Sequence, residues 1–338
     1  MNTLVLGGSQ FVGLHLVREL YARGHEVTVL NRGKTGSPLP AGVQRLVADR
    51  TDNESMRAAL TGKSWDAVFD VSGFVMVAGQ SDIGFLLDLF DGAVGAYVYT
   101  SSIMAYQQGM GVFPWTEEMP SNPDGPGTYG GFKVAVEHAV LERHRASGFP
   151  GSIVRPAAIY GPDNNIYDME AAMFLRIVRG LPIIVPHEGL VTGSYGHVDD
   201  LCRVMVDMAG KSAAHGEIFN ITAGAVTVNE YIRVLSEIVG KPADARYVPP
   251  TLLKTLAKQP FGHLFGSAHH AVLSIEKAED TLGLAPQYDF RAGHAQSFEW
   301  FMRSGLQDSR DPLKDPLWFA TYDFALEAEV ASRIAATG

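Results

Sequence analysis

Leu4-Val5-Leu6-Gly7-Gly8-Ser9-Gln10-Phe11-Val12-Gly13 runs from three apolar residues through a glycine cluster into a helical pattern. Phe11, Val12, Leu14, Leu16, Val17, Leu20 and Tyr21 recur at helical spacing, and Arg23-Gly24 closes the segment. The glycines therefore sit on a turn between a first strand and a first helix. At such a turn a pyrophosphate meets the amides and the partial positive charge of a helix N-terminus. Gly7 allows the tight turn, and Gly13 lets the helix approach the sheet. The middle glycine of the usual dinucleotide pattern is replaced by Gln10, a departure that narrows the approach or sets an amide beside the ligand. Ser9, Gln10, Phe11 and Val12 line the turn and join Gly7 and Gly13 as candidate cofactor contacts.

Outward from this turn, short apolar runs alternate with helical patterns. Strands are predicted at Thr3–Leu6, Glu26–Leu30, Gln44–Ala48, Ala67–Val71 and Ala96–Thr100, and helices at Phe11–Arg23, Asn53–Leu60 and Asp82–Phe90. Strict alternation implies right-handed crossovers and a parallel sheet covered on both faces, an α/β doubly wound fold. A Pro-, Gly- and Asp-rich loop over Pro120–Gly127 then leads into a helix from Tyr129 to about Ala146, followed by a strand at Gly151–Arg155. From Gly161 the alternation loosens. Residues 1–162 are read as the dinucleotide-binding domain and 163–338 as a smaller substrate-binding lobe. Residues 193–224, including a strand at Ile218–Thr222, are expected to return to the first sheet. Lys258–His270 reads as an ordered loop.

The composition narrows the function. Hydrophobic residues make up 46% and charged residues 19%, as in globular enzymes rather than disordered chains. A net charge of -10 counts against a broad nucleic-acid or anionic-membrane surface. Cys202 stands alone, which excludes an intrachain disulfide and points to a reducing compartment. The start of the chain lacks the pattern of a signal peptide, and no apolar run approaches the roughly 20 residues that span a bilayer. The expectation is a cytoplasmic protein with a small-molecule substrate and no membrane or nucleic-acid partner.

The second strand ends Leu30-Asn31-Arg32-Gly33, where an acidic residue would grip ribose hydroxyls and repel a 2′-phosphate. Asn31 does not repel one and Arg32 can pair with it, so NADP is favoured over NAD. Asp49, after the third strand, is placed to meet an adenine amino group or to cap the helix at Asn53. Tyr129 and Lys133 are four residues apart and share a helix face. A tyrosine with an ordinary pKa of about 10 is a poor base at neutral pH, and a neighbouring ammonium would lower that value. Lys133 could also hold a nicotinamide ribose. Tyr99-Thr100-Ser101-Ser102, at a strand's carboxyl end, offers hydroxyls where open α/β sheets bind ligands.

GGSQFVG, YVYTSSIMAY, TYGGFK, VRPAAIYGP, GHVDDL and GEIFNIT occur in that order, within a likeness that runs from Leu4 to about Phe301. The set resembles the extended short-chain dehydrogenase/reductase superfamily, also called the NAD-dependent epimerase/dehydratase family. The resemblance implies a Rossmann-like domain and a homodimer formed through the helix that carries Tyr129 and Lys133. It implies that Ser102 binds the substrate oxygen, Tyr129 is the acid/base, and Lys133 holds the ribose and tunes Tyr129. The expected activity is that of an NAD(P)-dependent epimerase, dehydratase or reductase on a sugar nucleotide or another hydroxyl-bearing metabolite. Gln10, Asn31-Arg32-Gly33 and LPIIVPHEGLVTGSYGHVDDL are similar to an atypical branch that includes plant chloroplast stem-loop-binding proteins. That branch is expected to lack the Tyr and Lys pair, which this chain keeps, and it raises the alternative of an RNA-binding or RNA-processing protein.

Nucleotide-sugar epimerases often carry a diphosphate-gripping arginine near the position of Gly193-Ser194, and none stands there. Asp163, Asn164, Asn165 and Tyr167, after Ile159-Tyr160-Gly161-Pro162, are candidates for substrate hydroxyls, or serve the turn itself; Asn164 and Asn165 are the residues taken forward. His197, Asp199 and Asp200 read as a strand end with an aspartate capping the next helix, Glu117 and Glu118 as solvated loop residues, and no His or Cys set has metal-ligand spacing.

Overall fold

Successive apolar residues of the first strand face opposite sides of a sheet, and each side meets its own helices. A computed structural model of the chain describes residues 1–34, 36, 39–72, 83–166, 169–256, 264–308 and 323–337. The first half runs β1 (Asn2–Leu6), α1 (Phe11–Ala22), β2 (Glu26–Asn31), β3 (Gln44–Val47), α2 (Asn53–Leu60), β4 (Ala67–Asp70), α3 (Ile83–Phe90) and β5 (Tyr97–Thr100). It continues with α4 (Tyr129–Ser147), β6 (Gly151–Pro156) and β7 (Ala158–Tyr160). The second half comprises α5 (Glu170–Arg179), β8 (Pro182–Val185), β9 (Thr192–His197), α6 (Val198–Ala209), β10 (Ile218–Ile221), β11 (Gly224–Thr227), α7 (Val228–Val239), β12 (Asp244–Tyr247), α8 (Pro250–Leu253), α9 (Glu276–Leu282), α10 (Phe290–Ser304) and α11 (Phe324–Thr337).

A seven-stranded sheet in the order β10-β6-β5-β4-β1-β2-β3 carries the molecule, and its registered pairs are parallel. Val5, Val29, Phe69, Val98, Val154 and Phe219 form one buried face with α1 and α6. Leu4, Leu6, Leu30, Val68, Tyr97, Tyr99 and Ile153 form the other with α2, α3 and α4. Each such side chain contributes about 1.5–3 kcal/mol when fully buried, so a register slip of one residue is strongly disfavoured. The doubly wound α/β fold expected from the sequence is the fold observed.

The smaller lobe holds a three-stranded sheet, β11-β9-β7, and a two-stranded sheet, β12-β8. Of residues 193–224, β10 joins the large sheet while β9 pairs with β7 and β11. Local sequence fixes the helix ends. The carboxylate of Asp52 caps α2 by accepting from Glu54 and Ser55 amides, Thr128 caps α4, and Gly148 stops α4 in the left-handed region at φ 74°. Asp52 therefore does the capping that was one reading of Asp49. His197 caps α6 by accepting from the Asp199 amide, so the helix starts at Val198 and neither aspartate is its cap. Of the predicted elements, Asp82 lies outside the described residues, as does most of the first half of the Lys258–His270 loop, with residues 257–263.

Candidate active site

The carboxyl ends of β1, β2, β4 and β5 converge where the strand order reverses, with β1 between β2 and β4, the place where such sheets form a crevice. Gly7 donates to Leu30 O at 3.0 Å and turns with φ +119°, and Gly8 follows at +77°. A Cβ on Gly13 would stand 2.5 Å from Gly8 N and 2.8 Å from Gly8 Cα, and one on Gly8 would lie 2.9 Å from Val29 Cγ1. Glycine is therefore dictated by space at Gly13 and by both space and φ at Gly8, a position that sequence reading passed over. Gln10 is the N-cap of α1 in extended conformation, its side chain makes no capping bond, and the first turn holds no acid. The donor set is backbone N–H at a helix's positive end, which fits a pyrophosphate.

Beside the turn, Asn31 Nδ2 donates to Ser9 Oγ at 2.8 Å, and Asn31 Oδ1 accepts from Gly33 N at 2.9 Å. Arg32 and Lys34 are exposed there. The Asp49 carboxylate accepts from Thr51 N at 3.0 Å and Thr51 Oγ1 at 2.8 Å. These bonds hold its pKa below the usual carboxylate range, with the charges of Arg32 and Lys34 adding to the effect. Asp49, Arg32 and Lys34 thus share one electrostatic neighbourhood beside the glycine turn.

At the other end the structure brings Ser102, Tyr129 and Lys133 together. Ser102 follows β5, accepts from Met104 N at 3.1 Å and lies close enough to the Tyr129 hydroxyl to pull its pKa down against burial. Lys133 is buried, donates from Nζ to Thr100 O at 2.7 Å, and stands 5.0 Å from the Tyr99 ring centroid and 5.6 Å from that of Tyr129. Burial pushes its ammonium down to about 8, against the opposing pull of Asp70 and Glu137. Tyr129 keeps an edge open to solvent but is hemmed in by protein, and that burial raises its pKa, an effect that Ser102 partly offsets. The lowering of Tyr129 expected from Lys133 is not found in this arrangement, because Nζ is turned to a backbone carbonyl. The glycines between the pair have a packing reason. A Cβ on Gly130 would stand 2.3 Å from Met104 O and Asn122 Nδ2, and one on Gly131 2.2 Å from Asp124 O. Only a bare backbone lets α4 lie against the loops on either side of Tyr129.

Beneath the crevice lie two buried ion pairs. Arg50 meets both oxygens of Asp70, with Nη2 to Oδ2 at 2.6 Å, and its Nη1 donates to Ser72 Oγ at 2.7 Å; Tyr97 OH also donates to Asp70, at 2.7 Å. Against a burial that alone would raise it, Arg50 holds Asp70 below the carboxylate range. Arg155 forks onto Glu137 at 2.9 and 2.6 Å, and Glu137 also accepts from Ser101 Oγ. Glu117 accepts from Asn220 N at 2.7 Å, so it ties the loop to β10 rather than standing solvated.

The 161–166 loop rests on α1. His15, on that helix, lies 2.6 Å from Asp199 and 3.0 Å from Pro162 O, and Arg18 pairs with Asp163 at 2.6 Å. Burial opposes a charge on His15, but Asp163 and Asp199 outweigh it and hold its pKa up at about 9. Asn164 is buried, with Nδ2 donating to both Glu170 oxygens at 3.0 Å and Oδ1 accepting from Ile166 N at 2.9 Å. Its amide serves the turn. Asn165 Nδ2 donates to Gln10 Oε1 at 3.2 Å. Tyr167 lies outside the described residues. Among the described residues no group of three or more His, Cys, Asp or Glu could hold a metal ion, and no helix is long and apolar enough to cross a membrane.

Residues 3–222 match the model of the NAD dependent epimerase/dehydratase family. The chain belongs to that family. It is 28% identical over 344 residues to the chloroplast stem-loop binding protein of 41 kDa b of Arabidopsis thaliana, covering 97% of this chain and 84% of that one. It is also 28% identical to sterol demethylase protein B of Methylococcus capsulatus, over 90% of this chain and all of that protein. Among solved structures, the UDP-glucose 4-epimerase of Thermotoga maritima with UDP-glucose superimposes with a TM-score of 0.76 at 26% identity, covering 90% of this chain and 99% of that one. The family accounts for a nucleotide cofactor of the NAD(P) type. Sequence reading missed Arg50, Asp70, Glu137 and His15; Asp49-Arg50 was a visible signal, since an arginine directly after a strand beside a glycine turn invites a search for its counter-ion.

Proposed function

We propose that the protein binds NADP in preference to NAD and interconverts a hydroxyl-bearing metabolite, such as a sugar nucleotide, by reversible hydride transfer. The convergence of Ser102, Tyr129 and the buried Lys133 at the crevice of the glycine turn carries this reading. Gly7, Ser9, Gln10, Phe11, Val12 and Gly13 would hold the pyrophosphate, Asn31, Arg32 and Asp49 the adenosine ribose and base, and Lys133 the nicotinamide ribose. Bound nicotinamide supplies or accepts the hydride. Ser102 orients the substrate oxygen, and Tyr129 moves the proton between that oxygen and itself. Lys133, turned from Thr100 O toward a ribose, would stabilise the Tyr129 phenolate and lower the pKa that burial raises. Asn164 supports the loop, and Asn165 stands closer to the cofactor turn than its first reading implied. A homodimer through the helix that carries Tyr129 and Lys133 belongs to the same proposal, and light scattering would test it.

The test follows nicotinamide absorbance with sugar nucleotides and simpler polyols as substrates. Turnover of a genuine substrate is expected to fall about 10²- to 10⁴-fold in Tyr129→Phe. Unchanged turnover sinks the assignment of Tyr129. The relative named for stem-loop binding supports a second reading as an RNA-binding protein, against which the net charge of -10 counts. Salt-sensitive retention of a stem-loop RNA would favour it.

A further inference from the structure

The contacts of the 161–166 loop with α1 fall on successive turns of that helix: Gln10 at its cap, His15 one turn in, and Arg18 in the next. Two of them are anchors. Arg18 pairs with Asp163 at 2.6 Å, and His15 is sandwiched between Pro162 O at 3.0 Å and Asp199 at 2.6 Å. Asp163 itself sits at φ 59°, in the left-handed region, which an aspartate enters more readily than most residues. Within the loop, Asn164 locks the next turn by binding Glu170 and the Ile166 amide. The loop is thus held firmly on both sides of Asn165, whose amide is the part presented to Gln10. Gln10 in turn stands at the helix cap with its side chain free of any capping duty, at the position where a glycine would leave the turn open.

We infer that Gln10 and Asn165 form a strap across the mouth of the glycine turn that slows the exit of the bound dinucleotide. The inference rests on the proposed cofactor reading. It gives the replacement of the middle glycine a purpose: the side chain reaches from the nucleotide-binding helix to the loop that opens the second lobe. Exit then requires the Gln10–Asn165 bond to break, while the ion-paired anchors keep the loop in place and ready to re-form it. Entry to an open strap is affected less than departure from a closed one.

Stopped-flow displacement of fluorescent NADPH by excess NADP⁺ measures the departure rate in the full-length protein. Gln10→Ala and Asn165→Ala are each expected to raise it about threefold to tenfold, the effect of losing one neutral hydrogen bond. Both positions are at least partly solvent-exposed, so melting temperatures should stay near that of the wild type. Because the two residues act through one bond, the double variant should be no faster than either single one. A departure rate within about twofold of wild type in either single variant overturns the strap. So does a double variant showing the product of the two effects. Wild-type protein that binds neither NADPH nor NADH overturns the cofactor reading itself, a result distinct from unaltered rates in binding-competent variants.

Discussion

Asp70 shows how a single residue can serve the site without touching a ligand. It sits at the end of β4 with both oxygens on Arg50 and a hydroxyl from Tyr97, and its charge opposes the burial that pushes Lys133 down. Removing one partner of a buried pair leaves the other charge uncompensated. Asp70→Asn is therefore expected to destabilise the fold by about 3–5 kcal/mol in urea unfolding. A loss under about 1 kcal/mol would mean that water already screens Arg50. Tyr129 and Lys133 were legible in the sequence because their spacing on a helix and their place after a serine-bearing strand are local facts. Asp70 and Arg50 were not, because the pair joins the ends of β3 and β4, which are separated by two other strands in the sheet order. Asn164 was open to two readings in the sequence, a substrate contact or a turn residue, and its amide is bonded to Glu170, six residues on.

At the scale of elements, the β1–α1 turn was read correctly because its rules are steric and short-ranged. The spatial reason for Gly13 is now explicit, since its missing Cβ is what lets α1 close over Gly8. Gly13→Ala should cost about 1–3 kcal/mol from overpacking and should weaken dinucleotide binding by displacing the amides of the turn. Calorimetry and a binding titration would check the two effects, and an unchanged melting temperature with full affinity would show that the turn yields freely. Strand ends were placed to within a residue or two, since apolar patterning marks the core better than the point where pairing stops. The capping of α6 escaped the sequence reading. An aspartate at a helix start usually caps it, but here His15 reaches across from α1 and takes the Asp199 carboxylate, leaving His197 to cap.

The whole molecule responds to pH through histidines held in opposite ways. His15 is raised to about 9, so the stability it contributes is fully present below the unfolded value of about 6.5 and is lost as pH rises through 9. Counted once for the His15–Asp pairing, this is on the order of 3 kcal/mol. His294 is buried and held down at about 3, stacked on Tyr160 and bonded to Tyr231. Its folded form binds a proton less readily, so the stability it confers is present above about 6.5 and is lost as pH falls toward 3. The melting temperature is expected to peak near neutrality and to decline on both sides, with His15→Gln flattening the alkaline side alone. An unaltered alkaline decline in that variant would assign it to other groups. The division into a large parallel sheet and a smaller lobe followed from where alternation ceased, whereas the pairing of β7 with β9 and of β8 with β12 joins distant short segments that carry little periodicity of their own. Titrating the protein with NADPH and NADH tests whether the crevice at the reversal of strand order holds a nicotinamide dinucleotide with Arg32 at its adenosine end. Saturable binding of both is expected, tighter for NADPH, with that preference lost in Arg32→Ala; binding of neither dinucleotide would rule out this use of the crevice.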